Sequence, residues 1–122
     1  MQYVTRRGAA RHMLISDGIR ASAGRTPDKV AIREGGRELT YARLVDRIGR
    51  VANLVHAGLG LRHGERAAVL SANCLEYIEI VCGMAEAGVT AATIGPAAAP
   101  PEIRFICEDS GPRVMFLSHP LE

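Results

Sequence analysis

Few side chains in this sequence could do chemistry, and they are scattered. Three cysteines, Cys74, Cys82 and Cys107, could act as nucleophiles or metal ligands. Their odd number and their spacings of eight and twenty-five residues fit neither a disulfide framework nor a zinc knuckle. Cysteine on an apolar helix behaves as a small hydrophobe, so core packing is expected, with a reducing, cytoplasmic setting. Cys74 is the exception to watch, because it falls at a helix start, where a thiol pKa is lowered. The histidines are His12, His56, His63 and His119, and no two stand at i, i+4 or beside a cysteine or carboxylate in metal-ligand spacing. Asp109-Ser110 and Glu65-Arg66 are the compact polar pairs, and both read as helix-end and turn residues rather than acid–base groups.

Two patterns invite a ligand and are set aside by their context. Arg43, Arg47 and Arg50 could form an anion-binding stripe on one helix face. Asp46 stands four residues before Arg50 in the favourable orientation, so a solvated face is expected. Gly58-Leu59-Gly60-Leu61-Arg62-His63-Gly64 resembles a dinucleotide loop in composition. Such a loop follows a strand and opens a helix, whereas these glycines follow a helix and precede a strand. Gly58 reads as a helix stop and Gly64 as a turn into the strand. The sequence contains no Walker-type G-x-x-x-x-G-K and no G-x-S-x-G elbow. Catalytic, cofactor-binding and metal-binding residues are therefore assigned to no position.

The elements around these residues are clearer than the chemistry. Arg66–Gly88 organises them: Ala67–Leu70 is a short apolar strand, and Ser71-Ala72-Asn73 breaks it. Asn73 and Glu76 have the spacing of a capping box. A helix over Cys74–Ala87 is apolar on nearly every side, with Glu76, Glu79, Gly83 and Glu86 forming a narrow polar strip. Val89–Ile94 is the second strand, Pro101–Asp109 a helix with Ile103, Ile106 and Cys107 facing inward, and Arg113–Ser118 a third strand. Strand, helix, strand, helix, strand predicts an α/β fold: an incomplete βαβαβ parallel sheet covered by helices on both faces.

Ahead of that unit, Ala9–Ala23 reads as a modest helix stopped by Gly24. Lys29–Arg33 and Arg37–Thr40 form a hairpin through a type I′ turn at Gly35-Gly36. Thr40 caps the most amphipathic helix, Tyr41–Ala57, whose buried face is Tyr41, Leu44, Val45, Ile48, Val51, Ala52 and Val55. Residues 1–24 are taken as a lead-in with the first helix, and 25–122 as one incomplete domain. Arg6, Arg7 and Arg11 make the start basic, without the apolar stretch of a secretory signal.

Composition excludes several classes. The net charge of +2 and five aromatic residues, none of them tryptophan, supply neither the basic groove nor the stacking platform of a nucleic-acid binder. No run of about 18 apolar residues occurs, so no transmembrane segment is expected.

The motif order resembles one family. Thr26-Pro27-Asp28-Lys29-Val30-Ala31 followed by Leu39-Thr40-Tyr41-Ala42-Arg43-Leu44 is similar to the opening of the AMP-forming acyl-CoA synthetases, members of the adenylate-forming superfamily. Gly58-Leu59 with Gly64-Glu65-Arg66-Ala67-Ala68, Asn73-Cys74-Leu75-Glu76-Tyr77, Ala87-Gly88-Val89 and Glu108-Asp109-Ser110 continue the series over Thr26–Leu117. Arg43 stands where the family usually has an acid, and Gly95-Pro96-Ala97 replaces its usual Asn-Pro. The resemblance implies the first part of a large N-terminal domain. It also implies a family reaction: ATP and a carboxylic or fatty acid form an acyl-adenylate, which the CoA thiol attacks. ATP, Mg²⁺ and CoA serve the full-length family, and no cofactor is expected for these residues alone. The phosphate loop ending in Pro-Lys-Gly, the hinge and the C-terminal lysine have no counterpart here, so inactivity is expected. A truncated product, the first half of a split gene or a designed fragment would each fit. The alternative is a non-catalytic α/β interaction module that pairs with another chain. Partners are then the remainder of a synthetase or a second copy meeting the apolar strand Val114–Leu117 edge to edge, and marginal stability is expected alone.

Overall fold

The computed structural model describes the backbone of residues 2–4 and 10–12, and residues 14–118 in full. The side chains of Arg6, Arg7, Arg11, His12 and His119 lie outside the described residues, and with them the reading of a basic lead-in.

The parallel sheet forms as the apolar runs require. Strand β5 (Arg66–Leu70) lies in the middle, flanked by β6 (Thr90–Ile94) and β7 (Val114–Leu117), both parallel to it. Because side chains alternate across a strand, β5 serves two layers. Ala67 and Val69 face α3 (Leu75–Glu86), with Met84, Tyr77 and Ile80 packed on them. Ala68 and Leu70 face α4 (Pro100–Ser110), which covers them with Ile103, Ile106 and Cys107. A continuous apolar strand is what two covered faces demand, and Ala67, Ala68 and Val69 are fully buried.

A second layer supports α3. Helix α2 (Tyr41–Asn53) packs Leu44 and Ile48 against Leu75 and Cys82, joined by Ile19 of α1 (Ile15–Arg25). The crossing is close at Gly83, where an added Cβ would lie 2.4 Å from Val51 Cγ1 and 3.0 Å from the Ile48 carbonyl oxygen. The hairpin β3 (Val30–Glu34) and β4 (Arg37–Thr40) is a separate antiparallel ribbon. Another antiparallel pair, β1 (Gln2–Val4) and β2 (Ala10–His12), precedes α1.

Several boundaries differ from the sequence reading for physical reasons. The helix expected over Ala9–Ala23 begins at Ile15, because Ala10–His12 is extended against Gln2–Val4 and the Asp17 carboxylate accepts the Leu14 N–H at 2.9 Å. It runs through Gly24 and ends at Thr26, whose N–H reaches the Ser22 carbonyl at 2.8 Å. The helix expected to stop at Gly58 widens into a π turn at Leu54–Gly58 and is capped at Leu59. The hairpin turn is not type I′, since Gly35 has φ 55° while Gly36 has no positive φ. Thr40 does cap α2, accepting the Arg43 N–H at 3.3 Å. The Asn73–Glu76 capping box is not formed. Cys74 holds the N-cap position without a side-chain cap bond, and the Glu34 carboxylate of β3 accepts the Leu75 N–H at 2.9 Å instead. A charge from a distant strand does the work expected of a neighbour in sequence.

Candidate functional site

Helix α3 carries the densest ionic chemistry of the described residues, and the structure turns it inward. The polar strip of Glu76, Glu79 and Glu86 meets an arginine from each of three different elements. Arg20 of α1 binds Glu86 through both oxygens, at 2.9 and 2.7 Å. Arg47 of α2 does the same to Glu79, with Nη2–Oε1 at 2.9 Å and a second bond from Nε. Arg37 of β4 binds Glu76 and also reaches Glu34 at 3.5 Å. All three pairings are two-pronged guanidinium–carboxylate forks, the geometry in which arginine binds a carboxylate most strongly.

The electrostatics follow from these contacts. The Arg37 hydrogen bond holds the Glu76 carboxyl below the ordinary carboxylate range. Burial pushes Glu86 up, and hydrogen bonding, led by Arg20, together with the Arg20 charge outweighs it, so its carboxyl too lies below the usual value. Hydrogen bonds to these carboxylates raise Arg20, Arg37 and Arg47 above the ordinary guanidinium value. Groups held this firmly in the charged state are poor proton donors or acceptors near neutrality. They join elements together.

Placing the glutamates inward leaves α3 with an apolar outer face. Ile78 is 41% exposed there, although the strip opposite it had the look of the solvent side. Arg47 is corrected with it: of the stripe Arg43, Arg47 and Arg50, only Arg43 and Arg50 are solvated, and Arg50 pairs with Asp46 at 2.9 Å as expected.

The other sequence candidates are brought to no common centre. Burial pushes the Cys82 thiol up, which makes it inert. Cys107 lies in the α4 layer, and Cys74 Sγ is 3.6 Å from Ser71 Oγ. All three cysteines are free. Ser110 donates to the Ile106 carbonyl at 2.6 Å, and Asp109 is exposed. Glu65 accepts the Arg62 N–H at 2.7 Å and pairs with Arg113 at 3.1 Å; these bonds pull its carboxyl down. Arg66 donates to the Ser110 carbonyl. These pairs fasten the amino ends of the strands. His56 and His63 are exposed, and the His63 ring lies against Gly88, whose φ of 73° and lack of a Cβ admit the contact. Among the described residues no group of three or more His, Cys, Asp or Glu could hold a metal ion, and no helix is long and apolar enough to cross a membrane.

One concavity stands at the carboxyl ends of β5 and β7, the edge where open α/β sheets bind other molecules. It has a volume of about 440 Å³, with Val69, Ile80 and Phe116 as apolar lining and Leu117, Cys74 and Ser118 beside them. Glu34, Arg37 and Glu76 form its rim, already paired with one another. Sequence reasoning could not find this groove, because its walls come from β3, β4, β5, α3 and β7 together.

A parallel sheet with helices on both faces, a hairpin braced on the central helix and a groove at the carboxyl edge define an open α/β fold. The chain belongs to the AMP-binding enzyme family, whose model matches residues 19–122. It is 36% identical over 90 residues to a feruloyl-CoA synthase of an Amycolatopsis species, covering 74% of this chain and 18% of that protein. It is 30% identical over 101 residues to a long-chain-fatty-acid–CoA ligase of Escherichia coli O157:H7, covering 83% of this chain and 18% of the ligase. The fatty acyl CoA synthetase structure of Mycobacterium tuberculosis superposes with a TM-score of 0.82 at 31% identity, covering 88% of this chain and 22% of that one. The chain thus spans about a fifth of the length of the curated relatives it matches.

Proposed function

We propose that this chain is the N-terminal scaffold portion of an AMP-forming acyl-CoA synthetase and is inactive alone. The whole enzyme would activate a carboxylic or fatty acid with ATP to an acyl-adenylate and pass the acyl group to CoA. In that enzyme ATP, Mg²⁺ and CoA are held by residues outside these 122. The carrying observation is the alignment: the family model matches residues 19–122, and the 90 residues aligned with a relative take up only 18% of that relative's length. The commitment of Glu76, Glu79 and Glu86 to arginines supports a supporting role rather than a catalytic one. Residues 25–122 form the partial synthetase subdomain of this reading, residues 1–24 its lead-in, and the three free cysteines favour a cytoplasmic location.

The nucleotide sequence after codon 122, with that of the neighbouring gene, tests the proposal. A Ser/Thr/Gly-rich loop ending in Pro-Lys-Gly, in frame or in the adjacent frame, supports it. Absence of such a loop from both contradicts it. A second reading, a non-catalytic α/β interaction module, is favoured by the exposure of Ile78 and Leu117. Light scattering and hydrophobic-dye binding address that reading, since a monomer without dye binding has no need of a partner.

A further inference from the structure

We draw no further inference here: the strongest candidate, the outer face of α4 where Phe105 is 68% exposed beside Pro101, Arg104 and Glu108, is an unpartnered patch, and nothing in the structure shows what covers it.

Discussion

The same substitution, glycine to alanine, should have opposite effects at two helical sites about one crossing apart. At Gly83 a new Cβ would stand 2.4 Å from Val51 Cγ1 and 2.5 Å from Val51 Cβ. That is roughly 1 Å short of an ordinary carbon–carbon separation. Val51 is β-branched and confined to one rotamer in a helix, so it cannot swing aside. The Ile48 carbonyl at 3.0 Å closes the other direction. Helices α2 and α3 must therefore move apart, an overpacking penalty of about 1–3 kcal/mol. Alanine's better helix propensity returns about 0.5–1 kcal/mol, leaving Gly83→Ala destabilised by about 0.5–2 kcal/mol. At Gly49 of α2 nothing lies within 4 Å of the new Cβ, so only the propensity gain of about 0.5–1 kcal/mol remains. Urea titrations followed by circular dichroism read both as midpoint shifts of opposite sign. Equal stabilisation by the two variants would refute the close α2–α3 crossing.

Arg47→Met should destabilise by about 1–3 kcal/mol, less than a fully buried pair because Arg47 is partly exposed, since it strands the buried Glu79 carboxylate. Adding Glu79→Leu should recover most of that in the same titration. Glu34→Ala should lower the urea midpoint by the equivalent of about 1 kcal/mol, because the Leu75 N–H loses its acceptor. Stability should be flat above about pH 4.5 and fall below it. Glu65, Glu76 and Glu86 have folded pKa values depressed from 4.5. Depressed carboxylates contribute stability above the unfolded value and lose it as pH falls through the folded one. Thermal melts across pH 3–7 measure this, and stability that rises on acidification would contradict it.

How much of this was legible depends on the range of the interaction involved. β5, β6 and β7 are read from apolar runs bounded by Gly, Pro and Ser, and α2 from Leu44, Ile48 and Val55 at helical spacing. Those signals are local. The inward turn of Glu76, Glu79 and Glu86 was not legible, because their partners Arg37, Arg47 and Arg20 lie 39, 32 and 66 residues away. A polar strip looks the same in sequence whether water or guanidinium satisfies it. The cap of α3 failed for the same reason: Glu34, 41 residues from Leu75, replaces the expected Asn73. The helix drawn over Ala9–Ala23 missed that Ala10–His12 has a strand to pair with. The family was legible because it rests on the order of short motifs, which survives where contacts cannot be seen.

The central claim is that β5 and α3 form a structural spine and that the chemistry of the family lies outside these residues. ATP–pyrophosphate exchange by the purified 122-residue chain, with a panel of fatty and aryl acids, tests it most directly. The account predicts no carboxylate-dependent exchange from a chain that circular dichroism shows to be folded. Carboxylate-dependent exchange by the chain alone would contradict it.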